Sequence, residues 1–188
     1  MKKISLVIFI VSVFIILWMG NNLFAQPPQD EKNEVKDKVG AIQFSIWNKI
    51  QLLNPDTSIY LLRLNAVYGN NKNVYGLDMG FAGRVESNFK GWQLNLLNLV
   101  KEDCAGLQTG LYNSSGDSKS IQIGIINTAK KMVGWQIGII NHSDDINGLQ
   151  VGLLYNTAEV MKGLQIGLFN MNWKGKPLTF LPIINFSF

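Results

Sequence analysis

Between Gly91 and Asn170 the chain repeats one phrase of alternating apolar and polar positions. Its clearest copy is Gly134-Trp135-Gln136-Ile137-Gly138-Ile139-Ile140-Asn141. Further copies run from Gly106 to Asn113, Ser120 to Asn127, Gly148 to Asn156 and Gly163 to Asn170, with a fainter one from Gly91 to Asn98. The glutamines Gln93, Gln108, Gln122, Gln136, Gln150 and Gln165 follow one another by 15, 14, 14, 14 and 15 residues. Within a copy, Trp135, Ile137 and Ile139 fall on one face and Gln136, Gly138 and Ile140 on the other. A period of two held over seven or eight residues predicts a strand. The short polar segments between copies (114–119, 128–133, 142–147 and 157–162) read as turns.

Upstream, Ala41 to Trp47 alternates in the same way, and Ile59 to Gly69 with Val74 to Gly83 read as a hairpin around Asn70-Asn71-Lys72-Asn73. Asn tolerates the positive φ that such a loop uses. The pattern is all-β and admits two architectures. In a β-solenoid each repeat of 14–15 residues is one coil, and Gln stacks on Gln. In an antiparallel up-and-down meander each repeat is one strand and one turn. A solenoid needs apolar side chains from its return half, and the segments Asn-Ser-Ser-Gly-Asp-Ser-Lys and Asn-His-Ser-Asp-Asp offer none. That consideration favours the meander, with about ten strands from Ala41 to Phe188. Phe180, Pro182, Ile184, Phe186 and Phe188 occupy every second position at the C-terminus. This resembles the closing strand of a bacterial outer-membrane barrel, which the barrel-assembly machinery reads. The expectation is therefore a small outer-membrane-type β-barrel with Trp, Leu and Ile towards lipid. Two features sit awkwardly with it: both sets of loops are short, and Ile126, Ile140, Leu154 and Phe169 spoil the polar face.

Composition adds an address. Lys2 and Lys3, the apolar run Ile4 to Met19 and the sequence up to Ala25 read as a secretory signal, residues 1–25, with Gln26 the expected first mature residue; the alternative is an uncleaved anchor helix. A polar lead-in at 26–40 precedes a single β-repeat domain at 41–188, with clear repeats at 91–170 and a closing strand at 177–188. Without Lys2 and Lys3 the chain keeps 15 basic and 13 acidic side chains, a net of +2. That balance gives no reason to expect nucleic acid as a partner.

Candidate chemistry is sparse. Cys104 is the one cysteine, so no intramolecular disulfide forms, and a reactive thiol would need a basic neighbour. His142 lies in a polar segment with nothing to bring it near. Asp144-Asp145 and Glu102-Asp103 lack the dense oxygen spacing of a calcium loop. Trp92, Trp135 and Trp173 fit an interfacial belt or ordinary packing. The glutamine row could bond a sugar or peptide, but bonding of glutamine to glutamine and to backbone inside the sheet is the expectation. No catalytic, cofactor-binding or metal-binding residue is assigned, and no cofactor.

Val74 to Gly80, the Gly-Leu-Gln-Ile-Gly-Leu-Phe-Asn phrase at 163–170 and the stretch Phe180 to Phe188 together resemble a family of bacterial surface-repeat proteins. The resemblance covers Ala41 to Phe188 and implies a cell-surface or outer-membrane location; membrane lipid or an envelope component is the expected partner. It implies no catalytic residues. Ser120 in place of the leading glycine, Thr109 at an aliphatic position and the extra Tyr155 depart from the pattern. The expected role is structural within the envelope; the alternative is a surface-exposed binding or adhesion module that uses the loops between strands.

Overall fold

The computed structural model describes residues 38–47, 49–175 and 179–187. The expected signal and most of the lead-in lie outside them, as does Phe188. Among the described residues nine strands make one sheet: β1 (Val39–Trp47), β2 (Ile50–Gln51), β3 (Ser58–Asn71), β4 (Val74–Val85), β5 (Phe89–Val100), β6 (Cys104–Thr109), β7 (Tyr112–Ile123), β8 (Ile126–Asn172) and β9 (Phe180–Ser187). Pairing is parallel throughout except at the ends, where β2 on β1 and β9 on β8 are antiparallel.

Parallel pairing overturns the barrel. Ile59 is opposite Val74, Val74 opposite Phe89, and Phe89 opposite Cys104. Each residue therefore lies over the one a repeat later, and the chain winds as a β-solenoid with one repeat per coil. The expected hairpin of β3 and β4 is two successive parallel coils, with one register shift between Asn65 and Tyr68. β8 covers 47 residues without a break because the chain stays paired while it turns corners.

The corners explain the residues that spoil the alternation. Backbone N–H groups of Ile139 and Ile140 both donate to the carbonyl of Ile125, at 3.0 Å each, and those of Ile125 and Ile126 converge in the same way on Leu111. Two consecutive residues thus face one partner, as in a bulge, and the phase slips by one. Ile126, Ile140, Leu154 and Phe169 accordingly point away from the interior, whereas the next residue, Asn127, Asn141 or Asn170, is buried. In the coil with the extra residue, Tyr155 precedes buried Asn156.

The segments expected as turns at 114–119, 128–133, 142–147 and 157–162 are strand within β7 and β8, whereas the return halves at 86–88 and 101–103 run between strands; each return half sends two side chains inward. Val85 and Phe89, Val100 and Cys104, Ala129 and Met132, Ser143 and Ile146, and Ala158 and Met161 are all buried. All but Ser143 belong to two apolar clusters, one from Ile59 to Cys104 and one from Ala129 to Met161. The coil between them contributes Ser115 and Ser118 instead, and Ser118 Oγ lies 2.6 Å from Ser120 Oγ.

Two positions of the repeat call for glycine. Gly134 has φ 141°, and a Cβ there would strike the carbonyl of Ser120. At Gly138 a Cβ would come within 2.5 Å of the Gly124 carbonyl and 2.7 Å of Asn127 Nδ2, so the small residue makes room for an amide. Ser120 stands in the first glycine column without positive φ; among the described residues only Ile183 combines a side chain with that conformation.

Candidate functional site

The interior of the first half of each coil is polar. One column runs Gln43, Arg63, Asp78, Gln93, Gln108, Gln122, Gln136, Gln150, Gln165, and each of these side chains is buried to 0% exposure. From Gln165 back to Gln108, each Nε2 donates to Oε1 of the preceding glutamine at 2.7–2.8 Å. The second Nε2 hydrogen of Gln122, Gln136, Gln150 and Gln165 goes to the backbone carbonyl of Thr128, His142, Thr157 and Met171, at 3.1–3.2 Å. The glutamine row thus bonds to itself and to backbone, as expected of buried amides.

The row has a direction and two terminations. At its C-terminal end Asn185 of β9 donates to Gln165 Oε1 at 3.2 Å. At the other end Gln93 Nε2 donates to Asp78 Oδ2 at 2.9 Å. Asp78 is held by a two-pronged bond from Arg63, Nε to Oδ1 at 2.8 Å and Nη2 to Oδ2 at 2.6 Å. Asn65 and Asn95 donate to the same carboxylate, at 2.7 and 3.1 Å. Arg63 Nη1 donates to the Arg84 carbonyl at 2.7 Å and to Asn71 Oδ1 at 3.4 Å. A chain of donors pointing one way must finish on an acceptor, and a carboxylate is the strongest available. Its charge in a dry interior then requires a cation, which Arg63 supplies. Gln43 closes the column by exchanging bonds with the backbone of Leu53, at 2.8 and 2.9 Å.

A second column, Asn98, Asn113, Asn127, Asn141, Asn156 and Asn170, runs beside the first with opposite polarity. Each Nδ2 donates forward to the next Oδ1 at 2.8–2.9 Å. The two rows of aligned amides oppose one another, so their dipoles largely offset.

The apolar side chains of the phrase lie outside. Trp135 is 51% exposed, Leu111 48% and Leu153 66%. Together with Ile42, Phe44, Leu96, Ile123 and Leu168 they form one continuous outer wall, extended at the C-terminal end by Ile184 and Phe186 of β9. At about 4.8 Å per layer the wall is roughly 40 Å long, and its strand segment is roughly 15 Å wide. An area of roughly 600 Å² is at the upper end of what a monomer leaves uncovered. Two departures from the repeat lie on this wall and at the corner that follows it. Trp92 Nε1 donates to Thr109 Oγ1 at 3.2 Å, and Tyr155 stacks on Phe169 at 5.1 Å.

The remaining candidates separate. Cys104 is buried in the first apolar cluster, and burial pushes its thiol up to about 12 against the hydroxyls of Ser118 and Ser120. His142 faces outward on a different coil, with Nδ1 2.8 Å from Thr157 Oγ1 and Nε2 3.5 Å from Asp144 Oδ1. The two form no pair. Asp144, Asp145, Glu102 and Asp103 are exposed, and among the described residues no group of three His, Cys, Asp or Glu could hold a metal. The buried Arg63–Asp78 pair has no glutamine to mark it. Its one sequence signal is that Arg63 and Asp78 stand 15 apart, with Asp78 15 before Gln93, in step with the glutamines.

No protein-family model matches the chain, and comparison with curated proteins and with solved structures found no match. The functional reading therefore rests on the fold and the surface of the chain itself.

Proposed function

We propose that the chain is an exported, non-enzymatic repeat protein of the bacterial cell envelope that acts as a binding module, through the outer surfaces of its coils. The observation that carries this is the inversion of the repeat. Buried positions go to Gln and Asn, and the most regular apolar positions go outside. Apolar surface left in water is unfavourable by about 25 cal/mol per Å². A wall of this extent, repeated in register across successive coils, is what a contact surface requires. The secretory signal pattern and the resemblance to surface-repeat proteins support the location. The disposition of Cys104, Arg63 and Asp78 supports a non-enzymatic role, since each is occupied inside the coils.

The test is retention by the isolated cell envelope. Trp135→Glu with Leu153→Glu places two charges on the wall without touching the interior. The variant is expected to keep its β circular dichroism and to wash off the envelope fraction under conditions that leave the parent chain bound. Equal retention of the two would overturn the reading.

A further inference from the structure

Charge is distributed around the coils as unevenly as apolarity. From Val74 to Asn172 the exposed or half-exposed acids are Glu86, Glu102, Asp103, Asp117, Asp144, Asp145 and Glu159, and every one lies on the return half. The wall columns contain no charged residue. One corner column, immediately before the wall, reads Tyr75, Lys90, Ala105, Lys119, Val133 in register and continues through Asn147 and Lys162 by the repeat. Lys90, Lys119 and Lys162 are exposed, and among the described residues none forms a salt bridge. On the return half Lys101 and Lys131 do, with Glu86 at 3.8 Å and Asp117 at 3.7 Å. At the N-terminal end of the same corner Tyr60 packs on Tyr75, with ring centroids 4.9 Å apart.

An apolar plane bordered by lysine and tyrosine, with its acids confined to the return half and absent from the plane itself, matches the layered chemistry of a lipid surface. Acyl chains meet the aliphatic columns, and anionic headgroups meet the ammonium groups at the rim. A second copy of this chain fits less well. It would bring its own lysine rim to the contact while its wall columns hold no acid to answer it, and a wall that repeats every coil offers no register to a protein partner. A fluid lipid surface needs no register. We infer that the wall docks onto the face of an anionic phospholipid bilayer, with Lys90, Lys119 and Lys162 at the headgroups and the coils lying along the membrane without crossing it. This rests on the wall being the contact surface, as proposed above, and adds its occupant.

The experiment is co-sedimentation of the protein, as recovered from the producing cell, with vesicles of phosphatidylcholine alone or with phosphatidylglycerol. All variants carry the same N-terminus, so the apolar run Ile4 to Met19, if retained, cancels from the comparison. The parent chain is expected to sediment with the phosphatidylglycerol vesicles. Lys90→Gln, Lys119→Gln and Lys162→Gln combined should weaken that binding on the order of 100-fold at low salt and leave binding to phosphatidylcholine unchanged. Leu111→Glu with Leu153→Glu should weaken binding to both. Equal binding of the lysine variant and its parent to anionic vesicles would overturn the inference. So would a parent chain that ignores both vesicle types but sediments as a dimer dissolved by Leu153→Glu; that result leaves the wall as a contact surface and makes a second copy its occupant. If the wall variants altered neither vesicle binding, nor self-association, nor envelope retention, the proposed function would fail with it.

Discussion

The inner columns and the outer wall are written by the same eight-residue phrase, one residue out of step, yet they are held to different standards. Gln136 faces inward and has every amide atom engaged, with Gln122, Gln150, Ser143 Oγ and the His142 carbonyl as partners at 2.7–3.2 Å. Its neighbours Trp135 and Ile137 face outward and are held by little more than the wall itself. A hydrogen bond between buried amides contributes only about 1 kcal/mol net, but an amide left unpaired costs about 1–3 kcal/mol. The interior is therefore exacting, because any change orphans a partner on the next coil. The wall is permissive, because its side chains stack loosely on their own kind. Strict identity inside and mere apolarity outside is the pattern the repeat displays: Gln recurs without exception at 93, 108, 122, 136, 150 and 165, whereas the residue before it is Trp, Leu or Ile.

The largest effect should come from breaking the interior where it is charged. Asp78→Ala or Arg63→Ala leaves an unpaired buried charge and should destabilise the fold by about 3–5 kcal/mol, read as the midpoint shift in denaturant unfolding. Replacing both by glutamine would extend the neutral row to Gln43 and should recover most of that loss. A double variant no better than the single ones would mean that the pair does more than terminate the row. Next comes Gln136→Leu, of similar volume, which strands the Gln150 donor, the Gln122 acceptor and the His142 carbonyl. A loss of about 3 kcal/mol is expected by the same unfolding measurement.

The wall should barely respond. Leu153→Ser is expected to change unfolding stability by less than about 0.5 kcal/mol, as an exposed position away from the core should. A loss comparable to that of Gln136→Leu would erase the contrast between the two surfaces. The smallest effect belongs to the return half. The hydrogen bond and charge of Lys174 hold the Glu159 carboxyl below its usual value, across a 2.7 Å contact. Because the folded value is the lower one, whatever this pair contributes is present above the ordinary carboxylate range and is lost as pH falls through the folded value. In Lys174→Ala the carboxyl carbon of Glu159 should titrate at higher pH by NMR, with no measurable change in unfolding.

Strand content, the repeat length and the self-bonding of the glutamines are legible in the sequence. The direction of pairing is not, for three physical reasons. Ile146 in Asn-His-Ser-Asp-Asp-Ile and Met132 in Lys-Lys-Met sit in segments polar enough to pass for turns. Each is one of two inward positions three or four apart, a spacing that belongs to a strand passing around a corner and not to period two. A solenoid interior need not be apolar throughout, because half of this one is filled by amides that satisfy one another. Ile140 and Leu154 look like intrusions on a polar face because the bulge at each corner, which shifts the phase by one, leaves no mark beyond the doubled apolar pair before Asn. The termination of the amide row at Asp78 could have been found by extending the 15-residue step one coil back from Gln93.

Parallel, in-register coils distinguish this architecture from any meander of the same strands. In the structure Tyr112 lies opposite Ile126, and Leu107 lies opposite Ile121. An antiparallel hairpin around the intervening segment would instead bring Tyr112 opposite Ile121. With Cys104→Ser to remove the native thiol, Tyr112→Cys with Ile126→Cys should cross-link within one molecule on mild oxidation, since adjacent strands place Cα atoms within disulfide range. Tyr112→Cys with Ile121→Cys should not, being about five residues out of register, roughly 16 Å. Efficient cross-linking of the second pair and none of the first would contradict the solenoid and everything built on its inner columns and outer wall.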